Sequence, residues 1–293
     1  MRREEIVGLI TIAIFVAGAV EALVIPYVYT SQPLEFLRKL LPSKYWSSET
    51  FELKFKSLVL VKNYYKTTED FPEVTKLLVK IHVRSCVVYI HEAKGNVLYN
   101  ISAYKSACIF ASGTPDLYVT ESELSKDTCL IDISARKGVI VIEVSPELTR
   151  ELIIEVESAV AKIELASPSL SKLSISIRST TSKIYLSQLN NTSISLKCSS
   201  LTFSAEIAYS NLTLTSLDIE VKSSTGKVGV KIPEDASVQV TAKEVLSSSV
   251  RIEMPGYSKT LTMGSATVGK ITDKGLLVSI KAYSSMFSLT VRQ

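Results

Sequence analysis

From about residue 131 to 254 the chain alternates apolar and polar side chains in short runs, and the runs recur at a fixed interval. They begin at Ile131, Leu152, Leu173, Ile194, Leu217 and Val238, in steps of 21, 21, 21, 23 and 21 residues. About eleven residues after most of these starts comes a second run, at Ile163, Ile184, Ala205, Val228 and Val250. Within a run the alternation is strict. Leu173, Ile175 and Ile177 are separated by Ser174 and Ser176; Leu217, Ile219 and Val221 by Asp218 and Glu220; Val238, Val240 and Ala242 by Gln239 and Thr241. A period of two predicts strands with one face in a core and the other in water. The linkers carry turn formers, such as Ser223-Ser224-Thr225-Gly226 and Pro233-Glu234-Asp235.

One such unit cannot fold alone, because its few inward aliphatic side chains bury too little to offset the entropy of ordering the whole unit. The units must share a core, and the expected fold is all-β. Two arrangements would serve. In a parallel β-solenoid of about 21-residue two-strand units, each unit is a rung and equivalent strands stack in parallel. In an antiparallel β-sandwich, consecutive strands pair as hairpins. A polar outer face suits antiparallel pairing. The fixed period suits the solenoid, which is the expectation adopted, since a sandwich has no need of equal spacing.

The segment 217–238, Leu-Asp-Ile-Glu-Val-Lys-Ser-Ser-Thr-Gly-Lys-Val-Gly-Val-Lys-Ile-Pro-Glu-Asp-Ala-Ser-Val, resembles the adhesin-type families of unknown function from bacteria and archaea, which include the head domains called GIN. Their units, of the form Leu-x-Ile-x-(Thr/Ser)-x-Ser-Gly-x-(Val/Ile)-x-(Leu/Val), stack as a β-solenoid. The resemblance covers about residues 131–254 and implies that fold, with an adhesin-like role. The Ser-Gly turn of the pattern is matched at Thr225-Gly226, whereas Thr181-Ser182 and Ser248-Ser249 depart from it.

Residues 6–29 give the strongest local signal. An unbroken apolar run over 6–20 is interrupted at Glu21 and resumes around Pro26. As a membrane helix its 24 residues would span a bilayer, with Tyr27 and Tyr29 at the interface. Arg2 and Arg3 favour a cytoplasmic N-terminus, which puts the β region outside the cytoplasm as an ectodomain. As a secretory signal, the same arginines would be the charged region and Ala17-Gly18-Ala19 the cleavage site. The chain then divides into 1–30 as anchor or signal, 31–50 as a linker with a short amphipathic helix over 34–41, 51–130 as an irregular β cap region, and 131–293 as the repeat β domain. In the cap region, strands are predicted over 51–61, 77–91, 97–101 and 117–120, the second long enough for a strand to call for a bend or a bulge. Residues 276–280 and 287–291 repeat the two-strand unit once more near the other end.

Composition narrows the function by exclusion. With 46% hydrophobic residues and a net charge of only +4 over 293 residues, no basic, aromatic-interleaved face points to nucleic acid. The expected partners are the lipid bilayer, through residues 6–29, and an envelope protein or glycan. Of four cysteines, Cys198 falls at an inward position matching Ile177 and Val221, which leaves at most one disulfide among Cys86, Cys108 and Cys129. Sequons occur at Asn100, Asn190, Asn191 and Asn211, the last three in turns between units. His82 and His91, nine residues apart, do not form a recognised metal motif, and no cofactor is expected. Ser169-Leu-Ser-Lys172 fits Ser-x-x-Lys, a pattern common by chance in a chain rich in both. The pair Asp218 and Glu220, flanked by Lys222 and Lys227, reads as a solvated charged face. No catalytic residue is therefore assigned. The expected protein is a membrane-anchored, extracytoplasmic adhesin-like β-repeat protein with a structural, adhesive or sensing role. The alternatives are a pilin-like filament subunit, which the absence of a basic–Gly/Ala cleavage pair before the apolar run disfavours, and an enzyme acting on surface polysaccharide.

Overall fold

The computed structural model describes residues 59–105, 114–157, 160–178, 181–199 and 202–293, all within one compact unit, Ser57–Gln293. The predicted membrane segment, the helix over 34–41 and Cys108 lie outside the described residues. Among the described residues no helix is long and apolar enough to cross a membrane. What they form is almost entirely β. In chain order the strands are β1 (Val59–Thr67), β2 (Lys76–Arg84), β3 (Val87–Glu92), β4 (Val97–Lys105), β5 (Asp116–Ser125), β6 (Thr128–Arg136), β7 (Val139–Val144), β8 (Thr149–Glu157), β9 (Val160–Ala166), β10 (Lys172–Arg178) and β11 (Thr181–Asn190). They continue with β12 (Ser193–Ser199), β13 (Thr202–Asn211), β14 (Thr215–Lys222), β15 (Thr225–Lys231), β16 (Ser237–Leu246), β17 (Ser249–Met254), β18 (Tyr257–Leu261), β19 (Gly264–Gly269), β20 (Gly275–Tyr283) and β21 (Met286–Arg292).

These strands make two sheets, ordered β1-β4-β7-β3-β9-β11-β13-β15-β21-β17-β18 and β19-β16-β20-β14-β12-β10-β8-β2-β6-β5. Consecutive strands of the body, such as β10 and β11, go to opposite sheets rather than pairing as hairpins. Each two-strand unit is therefore one rung, and rungs stack in parallel. Leu152, Leu173, Ile194 and Leu217 stand side by side in successive strands, as do Ile163, Ile184, Ala205 and Val228. All are buried, and they join the inward residues of both sheets in one continuous core. Antiparallel pairing is confined to the two ends, where β1, β4 and β5 close one and β18 and β19 the other. A sheet edge left bare invites pairing with another chain. The edge strand β5 carries exposed Glu121, Glu123 and Lys126 just beyond its end, charges that oppose such pairing.

The order of rungs departs from the order in sequence at both ends. Ile131 does not neighbour Leu152; Val79 of β2 lies between, paired with both. At the other end β20 and β21 slip between the rung of β14 and β15 and the rung of β16 and β17. The stretch 51–130, expected to be an irregular cap, thus supplies a complete rung as well as capping strands. Periodicity could not reveal this, because Leu77, Val79, Ile81 and Val83 alternate like any other rung and the ladder bonds come from the backbone.

Serines turn the corners between the sheets. The predicted strand over 77–91 breaks at Ser85, whose φ of 52° turns the chain from one sheet into the other. Ser223, Ser247 and Ser284 turn the equivalent corners at φ of 48°, 50° and 49°. A left-handed conformation is unfavourable for a residue with a Cβ, and hydrogen bonds of the following serines help to hold it. Ser224, Ser248 and Ser285 donate to the carbonyls of Lys222, Leu246 and Tyr283 at 2.7, 2.8 and 2.7 Å. Two of these hydroxyls also accept from the next rung: Ser285 N–H donates to Ser248 Oγ at 3.0 Å, and Ser224 N–H to Ser285 Oγ at 3.2 Å. Gly226, read above as part of the turn, lies instead inside β15. A Cβ there would overlap the Phe203 ring. With no side chain between them, Phe203 and Phe287 stack across it at a centroid distance of 6.3 Å.

Candidate functional site

Outward positions of neighbouring strands line up into rows that run along the stack, across the strands. On the ten-stranded sheet, insertion of β2 between β6 and β8 builds two such rows side by side. One reads Ser134, His82, Glu155, Ser176, and the other Arg136, Arg84, Glu157, Arg178. Together they line a shallow cleft of about 320 Å³. His82 Nδ1 donates to Glu155 Oε2 at 3.0 Å, and Arg84 Nε to Glu157 Oε2 at 3.0 Å. Arg136 and Arg178 flank these pairs, and neither forms an ion pair among the described residues, although Asp116 stands in register with Arg136. Tyr118 of β5 stands in register with Ser134 at the end of the first row, 65% exposed. Lys62 Nζ lies 5.3 Å from its ring centroid.

The row Ser134, His82, Glu155 has the order of a nucleophile, a base and an orienting acid. Such chemistry also needs donors aimed at a developing oxyanion. The strand N–H groups here lie in the plane of the sheet and serve the ladders among β6, β2 and β8. What the arrangement offers is recognition: guanidinium groups for anions, with carboxylate, imidazole and hydroxyl groups for a polar ligand.

The opposite sheet carries rows of its own. Glu143, His91, Glu164, Tyr185 and Glu206 form one. Beside it, Lys162, Lys183, Ser204 and Lys227 form another. Several of these groups are tied to one another. Lys162 pairs with Glu164 at 2.6 Å, His91 Nε2 approaches Glu143 Oε1 at 3.3 Å, and the Tyr89 hydroxyl donates to Glu164. Burial and that carboxylate push the Tyr89 phenol above its ordinary range.

The candidates taken from sequence are scattered. Cys86, Cys129 and Cys198 are buried free thiols, and Cys198 lies inward between Ile177 and Val221. His82 and His91 sit on different sheets. Lys172 pairs with Glu151 at 3.9 Å, and the Ser169 carbonyl accepts from Arg150 at 3.0 Å, so Ser-x-x-Lys is not assembled as a nucleophile and base. Glu220 is held below the usual carboxylate range by Lys222, 2.5 Å away, the reverse of what a general acid needs. Asn100 donates to Glu143 at 2.6 Å, and its amide oxygen is buried. Asn190 donates to the Pro168 carbonyl at 3.4 Å, and Asn191 Oδ1 accepts from Thr213 N–H and Oγ1 at 2.5 and 3.0 Å. Asn211 ends β13 exposed.

The arginine cleft was missed because its parts are separated by tens of residues and meet only through the inserted rung. A signal existed in retrospect: Arg84, Arg136 and Arg178 each end a first strand, with Glu157 at the same place.

No family model and no curated protein matches the chain. Among solved structures it is similar to a candidate cell adhesion protein from Clostridium sporogenes, at 11% identity and a TM-score of 0.44, over 79% of this chain and 99% of that one. It is also similar to a candidate adhesin from Bacteroides fragilis, at 11% identity and a TM-score of 0.22, over 80% of this chain and 97% of that one.

Proposed function

We propose that the chain is an adhesin-like β-solenoid held outside the cytoplasm by residues 6–29, with a structural, adhesive or sensing role at the cell envelope. One observation carries this reading. The rungs form a stack closed by antiparallel strands at both ends, whose outer faces present in-register rows of charged and hydroxyl side chains. A continuous core under such rows makes a stiff display surface, as repeat architectures commonly do. The charges of the edge strand β5 oppose strand pairing there, which weighs against a filament built rung on rung at that edge. Protease shaving of intact cells, followed by peptide mapping, tests the proposal. Cleavage after lysines and arginines beyond residue 150 in whole cells supports it. Protection of those sites until the cells are lysed overturns it.

A further inference from the structure

We propose that the cleft spanning β6, β2, β8 and β10 binds an acidic polysaccharide laid along the stack, its carboxylate or sulfate groups on Arg136 and Arg178. This rests on the reading of the chain as a display surface and names what that surface takes. Two features of the cleft and one beside it agree on the chemistry. The first is the pair of arginines without ion-pair partners among the described residues, at the two sides of the Arg84–Glu157 pair. They lie three strand spacings apart, about 14 Å at the usual inter-strand distance. A guanidinium fork binds a carboxylate or sulfate through two parallel hydrogen bonds, and its planar geometry favours such anions over a diffuse negative field.

The second feature is the neighbouring row. Ser134, Glu155 and Ser176, with His82, offer hydroxyl, carboxylate and imidazole groups that suit the hydroxyls of a sugar. A ligand running across the strands meets a fresh set of such groups about every 4.8 Å, comparable to the length of one pyranose unit. The third is Tyr118, exposed beside the cleft at the end of the row, a flat amphipathic ring with Lys62 over one face and the other open to the apolar face of a sugar. The same features disfavour a nucleic acid. Its bases need a succession of rings to stack on, and Tyr118 at the end of the row supplies a single one beside a cleft whose lining residues include none.

The test is a titration of the purified full-length chain in detergent, followed by calorimetry, with four probes: polygalacturonate, chondroitin sulfate, neutral dextran and polyuridylate. The variant Arg136→Ser/Arg178→Ser removes the two anion contacts. Arg251→Ser, on the opposite sheet, serves as the surface control. The expected result is saturable binding of one or both acidic glycans, with dextran and polyuridylate at least tenfold weaker. The double variant loses at least tenfold in affinity with an unchanged circular dichroism spectrum, and the control variant loses nothing. Comparing polygalacturonate with chondroitin sulfate tells whether carboxylate alone suffices or sulfate is preferred. The proposal is overturned if no acidic glycan binds, if polyuridylate or dextran binds as well, or if the double variant binds as tightly as the parent. None of these results depends on where the chain resides. A failed titration with cleavage in intact cells removes the ligand alone, whereas protection in intact cells removes the surface role.

Discussion

Gly226 and Gly229 lie three residues apart on β15 and face opposite sides of the sheet, so replacing each with alanine separates core packing from surface packing. At Gly226 the new Cβ points inward and overlaps the Phe203 ring, which is itself buried and stacked on Phe287. A ring held in a filled core cannot yield without moving its neighbours. Overpacking of this kind costs about 1–3 kcal/mol, set against about 0.5–1 kcal/mol gained by removing glycine from a strand. Gly226→Ala should therefore lose up to about 2.5 kcal/mol. At about 2–4 °C per kcal/mol for a domain of this size, the melting temperature should fall by up to about 10 °C. At Gly229 the atoms nearest the Cβ are those of the Glu206 carboxylate, the end of a flexible side chain on the outer face. That carboxylate can swing into water, so Gly229→Ala should be neutral or gain up to about 1 kcal/mol. Thermal and urea unfolding of the full chain, followed by circular dichroism, gives both values. Phe203→Leu supplies the cross-check: in that background Gly226→Ala should cost much less, a non-additivity expected only if the two groups collide. The reasoning is refuted if Gly226→Ala is more stable than the parent, or if Gly229→Ala proves the more damaging of the two.

Three further outcomes are expected. Hydrogen bonds from Ser125, Lys76 and Thr128 hold Asp127 well below the usual carboxylate range at the β5–β6 turn. A depressed carboxylate stabilises the fold above its unfolded value of about 4 and loses that contribution as pH falls toward the lower folded value; urea midpoints of Asp127→Asn should accordingly fall less between pH 4 and pH 2 than those of the parent. Burial pushes the Cys86 thiol up to about 12 and the Cys198 thiol higher still, so neither should react with a thiol reagent at pH 8 until urea opens the fold, and rapid labelling of either in the native chain would contradict the buried packing. If the chain reaches a glycosylating compartment, mass spectrometry should find sugar at Asn211 and none at Asn100, whose amide is already bonded to Glu143.

Much of the architecture was legible because burial imposes its period directly on the sequence. Leu173, Ile175 and Ile177 had to point one way, and they do; Cys198 took the inward place that the alternation assigned to it. Rung order was not legible. Backbone ladders accept any strand of suitable length, so nothing in Val79 or Leu276 says which neighbour it will have. The serine corners hid for a related reason, since Ser248 and Ser285 look like loop residues until the next rung brings a backbone donor to each hydroxyl. The arginine cleft lay beyond reach because it is a property of neighbours, and the neighbours were the part that periodicity left open.

The late insertion of β20 and β21 has a consequence for biosynthesis. A ribosome or translocon delivers β16 to β19 first, yet these have no seat on the growing body until residues 275–292 emerge and wedge themselves in. Until then β14 and β15 show bare edges to whatever is nearby. A premature stop near residue 270 would therefore not trim the molecule at its tip. It would remove an inner course, stranding finished segments beyond the gap, and such a product should be prone to aggregation and prompt degradation.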